Sequence, residues 1–185
     1  MDFNAPLVLS TYDLGRRAGA MRTEQLTVPA PSDLGTVVIA IPPGTDVELH
    51  LQFEAVMDGV FVTGSASGLA TGECARCLDP LQLPVEVDIA ELYLYEETKR
   101  SLSEAGDDEA EDQYMVTEEH IDLEPVLRDA VVTALPFRPL CRDDCPGLCP
   151  VCGIRMAEAE SGHAHEQIDP RWKQLQQLLG EESSE

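Results

Sequence analysis

Hydrophobic and polar positions alternate along the first half of the chain, and the alternation changes period near its middle. Val47, Leu49, Leu51 and Phe53 are separated by Glu48, His50, Gln52 and Glu54, a period of two that predicts a half-buried strand. Asp58-Gly59 follows as a hairpin signal, and Val60-Phe61-Val62-Thr63 starts the returning strand. Gly64, Gly68 and Gly72 punctuate that return and predict bulges or bends in it. Thr36-Val37-Val38-Ile39-Ala40-Ile41 reads as a β-branched strand stopped by Pro42-Pro43-Gly44, and Leu7-Val8-Leu9 as a short pairing segment. Val85, Val87 and Ile89, then Leu92 and Leu94, carry a last strand.

Beyond residue 122 the period becomes helical. Leu123, Val126, Leu127, Ala130, Val131, Ala134 and Leu135 form one stripe, with Asp122 as N-cap and Pro136 as stop. Asp169-Pro170 opens a second helix that presents Trp172, Leu175, Leu178 and Leu179 and ends at Gly180. The expectation is an α+β fold: an antiparallel, partly barrel-like sheet with a packed helix, a small zinc knuckle and a C-terminal helix. Its organisation would be a β-rich domain over 1–97, an acidic mobile loop over 98–122, helix, knuckle and C-terminal helix over 123–180, and a frayed tail over 181–185.

Charge narrows the class of partner. Thirty-five acidic side chains against twelve basic ones give a net charge of −23. Such a chain repels phosphate backbones and anionic membranes, because both are bound through Lys and Arg. Glu104, Asp107, Asp108, Glu109, Glu111 and Asp112 concentrate the acidity in a stretch with few apolar residues. The dense basic cluster of the N-terminal half is Arg16, Arg17 and Arg22, which marks a possible RNA contact. No run of about 18 apolar residues is present, which predicts no membrane helix. Met1 to Pro6 lack a basic n-region and apolar core, so a cytoplasmic, reducing location is expected.

Cysteines in that setting read as metal ligands. Cys141, Cys145, Cys149 and Cys152 lie within twelve residues, and the last two form a Cys-Pro-Val-Cys-Gly turn. Four thiolates at tetrahedral corners fill the shell of Zn²⁺ and leave no position for a reacting water, which argues for a structural ion. The compact four are favoured because a short loop costs less entropy to close. Cys74 and Cys77 offer an alternative pair. They would face Cys149 and Cys152 in a two-knuckle ribbon, rest as buried thiols, or act as a redox couple. His163 and His165 are near enough in sequence to donate a ligand but read more simply as solvated. There is no phosphate loop, dinucleotide fingerprint or nucleophile elbow: Gly64-Ser65-Ala66-Ser67-Gly68 has alanine where the serine must sit.

Several segments together resemble the YceD family of large ribosomal RNA subunit accumulation proteins. They are Gly72-Glu73-Cys74-Ala75-Arg76-Cys77-Leu78, Glu91-Leu92-Tyr93, Ala134-Leu135-Pro136, Leu140-Cys141, Gly147-Leu148-Cys149-Pro150-Val151-Cys152-Gly153 and Ile168-Asp169-Pro170-Arg171-Trp172. Many relatives carry an asparagine and a further cysteine after the Cys-Gly, where this chain has Met156-Ala157-Glu158-Ala159. The resemblance implies a ribosome-assembly factor that promotes 23S rRNA processing or accumulation. It would be an adaptor and not an enzyme, binding a basic ribosomal protein of the large subunit or precursor rRNA, with no membrane or small-molecule substrate. The competing readings are a thiol-dependent redox enzyme using Cys74 and Cys77, and a zinc storage or sensing protein.

Overall fold

The structure is a computed structural model, and it describes residues 2–105 and 112–165. One six-stranded antiparallel sheet dominates it. Its strands are β2 (Met21–Pro29), β3 (Leu34–Gly35), β4 (Ile39–Ile41), β5 (Asp46–Ala55), β6 (Gly59–Glu73) and β7 (Pro80–Leu94). A separate short ladder joins β1 (Val8–Ser10) to β8 (His120–Asp122), and α1 (Glu96–Glu104) and α2 (Glu124–Ala134) complete the elements.

β6 organises the sheet. One edge pairs with β7 along its whole length, from Gly59 opposite Leu94 to Glu73 opposite Pro80. The other edge takes β5 first, up to Ser67, and then β4 at Thr71 and Gly72. The curl of this sheet follows the expected barrel-like form. The alternation in β5 survives: Val47, Leu49, Leu51, Phe53 and Ala55 are buried while Glu48, His50 and Gln52 face water. Val85, Val87 and Ile89 of β7 do the same, so one face of the sheet forms the core. α2 covers that face against β7 and β3, inserting Val126, Leu127 and Val131. Each such side chain contributes about 1.5–3 kcal/mol by leaving water.

Several expectations change in detail. The predicted strand over 36–41 is a tight hairpin: Thr36 N–H donates to the Ile39 carbonyl at 2.8 Å, and Ile39–Ile41 alone continue as β4. Gly64 and Gly72 make no bulge, because the register passes through them unbroken. Their role is close approach. A Cβ on Gly64 would lie 2.0 Å from the His50 carbonyl oxygen, and one on Gly72 2.4 Å from that of Val38. β2 had no counterpart in the expected elements: its inward positions Arg22 and Glu24 are polar, and the apolar alternation is limited to Leu26 and Val28.

The first part of the segment read as an acidic loop is helical. α1 has no buried residue and therefore no stripe to betray it; Glu96 and Arg100 pair at 2.7 Å one turn apart. Glu96 and Glu97 also suit the positive end of the helix dipole. α2 starts one residue later than expected, so Leu123 takes the N-cap position and Asp122 precedes it, its carboxylate accepting from the Glu124 N–H at 3.0 Å. Residues 106–111, the expected C-terminal helix and the tail lie outside the described residues.

Candidate metal centres

The connection from β6 to β7 is a turn built around Cys74 and Cys77. Cys74 N–H donates to the Asp79 carbonyl at 2.8 Å, and Leu78 N–H to the Cys74 carbonyl at 2.9 Å, with Leu78 held at φ 61°. The segment after α2 docks on this turn. Ala75 N–H donates to the Pro139 carbonyl (2.8 Å), Leu148 N–H to the Arg76 carbonyl (3.1 Å), and the Arg76 guanidinium to the Cys145 carbonyl (2.8 Å). Gly147, at φ 75°, passes so near that an added Cβ would lie 3.0 Å from the Arg76 carbonyl oxygen.

This docking gathers four sulfurs from two distant stretches of chain. Cys74, Cys77, Cys141 and Cys145 place their Sγ atoms within 4.8 Å of one another. Cys74 and Cys145 sulfurs are 3.8 Å apart, and those of Cys77 and Cys141 3.7 Å. A disulfide needs about 2.05 Å, so these are free thiols. Four sulfurs each about 2.3 Å from a tetrahedral ion sit about 3.8 Å from one another. Those two separations match the edge of such a tetrahedron, and the four sulfurs could hold a metal ion. Leu81 and Leu140 pack around Cys74, Cys77 and Cys145, which are buried, while Cys141 reaches the surface.

Electrostatics favour the same reading. The amides of Cys141 and then of Cys77 face the Cys74 sulfur and draw its thiol down to about 6, against the effect of burial. At Cys77 the Asp79 amide also pulls downward, but burial and the crowded neighbouring sulfurs outweigh it and push the thiol up to about 12. The Cys145 sulfur, followed by burial, raises Cys141 as well. One thiolate is welcome there; four are not, unless a dication replaces the protons.

The expected set of Cys141, Cys145, Cys149 and Cys152 is not brought together as one. Cys149 and Cys152 stand in a second group with His163 and His165. Loop entropy gives the compact set only a small advantage, because closure cost rises only with the logarithm of length. Spanning the 71 residues from Cys74 to Cys145 costs roughly 1.6 kcal/mol more than spanning Cys141 to Cys152, and folding of the sheet already covers it. His163 and His165 are likewise directed at sulfur: their Nε2 atoms lie 3.4 and 3.2 Å from Cys152 Sγ. The signal for them was the two-residue spacing His-Ala-His downstream of a cysteine turn. The amides of Cys152 and Val151 draw Cys149 down to about 6, with burial opposing.

The arginines are less available than the sequence suggested. Arg16 pairs with Glu97 at 2.5 Å and lies over the Tyr95 ring. Arg22 bonds Glu24 and the Ser10 carbonyl and covers Phe53. Arg17 is exposed. A cavity of about 170 Å³ borders Cys77, Cys141 and Cys145 and is also lined by Arg142, Arg155 and Glu158. That is below the roughly 300–1,000 Å³ of small-molecule sites.

These features define an α+β protein whose sheet carries a thiol cluster that could hold a metal ion. Residues 62–179 match the model of the family described as large ribosomal RNA subunit accumulation protein YceD, and the chain belongs to that family. The match runs from within β6 through both cysteine groups. The chain is 45% identical over 181 residues to an uncharacterized protein of Mycobacterium tuberculosis, covering 97% of this chain and 84% of that one. It is 37% identical over 175 residues to one of Mycobacterium leprae, covering 95% and 78%. The Bacillus subtilis protein YlbN is 25% identical over 107 residues, covering 57% and 58%. No solved structure matches. Among the described residues, no helix is long and apolar enough to cross a membrane.

Proposed function

We propose that the chain is a cytoplasmic assembly factor of the large ribosomal subunit. It promotes 23S rRNA processing or accumulation by binding a basic ribosomal protein or precursor rRNA, and Cys74, Cys77, Cys141 and Cys145 hold a structural Zn²⁺. The observation that supports this reading is the gathering of those four sulfurs within 4.8 Å of one another, with two of the separations at 3.7 and 3.8 Å. A shell filled by protein thiolates has no open coordination position for substrate or water, so the ion would clamp the segment after α2 to the sheet. The family description supplies the ribosomal context.

Of the two partners, a basic protein suits the surface better. The solvent face of the sheet carries Glu48, Glu86 and Asp88, in line with the acidic stretch, and Arg16 and Arg22 are already engaged by carboxylates. Attraction between such a face and a cationic partner speeds encounter and falls with salt. Affinity capture of the full chain from growing cells tests the proposal. Recovery of a large-subunit ribosomal protein, eluted by raised salt, would support it. Recovery of rRNA after protein removal would favour the direct RNA contact, and recovery of neither from particle-containing fractions would refute both.

A further inference from the structure

We infer that Cys149, Cys152, His163 and His165 form a second metal centre, loaded independently of the Cys74–Cys145 cluster, whose ion folds the segment 149–165. The four ligand atoms lie within 4.8 Å of one another. The two imidazole Nε2 atoms are 3.2 Å apart and lie 3.4 and 3.2 Å from Cys152 Sγ. A tetrahedral ion with about 2.3 Å bonds to sulfur and about 2.05 Å to nitrogen sets those edges at about 3.3 Å between nitrogens and about 3.6 Å from sulfur to nitrogen. Both imidazoles present the same nitrogen to one point, with their rings 86° apart, so neither blocks the other.

The backbone is shaped for the same purpose. Cys149 N–H donates to the Ile154 carbonyl at 2.8 Å, and Gly153 N–H, at φ 72°, returns to the Cys149 carbonyl at 2.9 Å. Leu148 and Arg155 bridge across this turn. Little else holds the segment. From Pro150 to His165 no described residue is buried, and Met156, Ala159 and His163 are only half-buried. Backbone hydrogen bonds there are local, apart from that of Met156 N–H to the Gly147 carbonyl, and the Arg155–Asp79 ion pair ties the turn to the β6–β7 connection. Without an apolar core, ordering a stretch of this length needs another source of free energy, and a bound ion supplies it. Two thiolates with two imidazoles select a borderline ion such as Zn²⁺ over the oxygen-seeking Ca²⁺ or Mg²⁺. Cys152 and His165 are exposed, so this ion would exchange before the one among the buried sulfurs.

Metal content of the tag-free full chain, measured by mass spectrometry after gel filtration, tests the inference. The expected result is two zinc ions per chain, falling to one in a His163→Ala/His165→Ala variant. A Cys74→Ser/Cys77→Ser variant should lose the other ion and keep this one. In Co²⁺-loaded protein that variant should then show a tetrahedral mixed sulfur–nitrogen absorption spectrum. A His163→Ala/His165→Ala variant with the parent's metal content would overturn the second centre, whether the parent holds one ion or two. Loss of both ions from the Cys74→Ser/Cys77→Ser variant would overturn its independence. Should that variant be insoluble, the histidine variant still decides, because both substitutions fall on the uncored segment.

Discussion

The proposed zinc clamp predicts that emptying the four-sulfur cluster loosens one docking contact and spares the sheet. Cys145→Ser is the sharpest perturbation, since Cys145 is only 3% exposed and its sulfur lies 3.8 Å from that of Cys74. Beside a longer contact from Arg76 to the Asp143 carbonyl at 3.3 Å, three closer hydrogen bonds join the segment after α2 to the Cys74–Cys77 turn: Ala75 to Pro139, Leu148 to Arg76, and Arg76 to Cys145. At about 1 kcal/mol each they amount to about 3 kcal/mol, a factor of roughly a hundred in local opening. Hydrogen exchange on the parent and the variant measures this directly. The amides of Ala75 and Leu148 should exchange roughly a hundredfold faster in Cys145→Ser, while amides of β5 and the centre of β6 keep their protection. Chelation of the parent should reproduce the pattern. Unchanged protection at Ala75 and Leu148 in metal-free protein would refute the clamp, and collapse of the whole sheet would show that the ion holds far more than this contact.

Other consequences are independent of the metal. Leu127, fully buried between α2 and the sheet, should cost about 3–5 kcal/mol on truncation to alanine, read as a lowered urea midpoint. Tyr93 donates its hydroxyl to the Asp122 carbonyl at 3.0 Å, and burial first, then nearby Glu91, raises its ionisation above the ordinary range. The neutral phenol is thus favoured by folding: its stabilisation is complete below about pH 10 and is lost as pH rises beyond that. Tyr93→Phe should cost about 1 kcal/mol near neutrality and make the alkaline loss of stability shallower, with Tyr95 and Tyr114, also raised by burial, retaining part of it. Replacing Glu104, Asp107, Asp108, Glu109, Glu111 and Asp112 with amides should weaken capture of a basic partner and flatten its salt dependence; unaltered affinity would remove that stretch from the interface.

What the sequence revealed follows from where local chemistry decides structure. β5 and α2 were legible because each buries one face, and the buried positions recur at the period of the element. β2 and α1 were not, because Arg22, Glu24 and the charged surface of α1 carry no apolar period; their form depends on pairing with β5 and on ion pairs. The thiols were recognisable as candidate ligands from the Cys-x-x-Cys turns, but their grouping is a property of the tertiary fold. Nothing local to Cys141 and Cys145 says that the β6–β7 turn will arrive beside them. That His163 and His165 lie beside the Cys152 sulfur was illegible for the same reason, since a polar loop gives no sign of which sulfur it will face.

The functional account stands most directly on the balance of ribosomal RNAs in cells depleted of this chain and supplied with either the parent or a Cys74→Ser/Cys141→Ser variant. Depletion should lower mature 23S rRNA relative to 16S rRNA, with the parent restoring the ratio and the variant failing to. A ratio that stays unchanged on depletion would contradict the account.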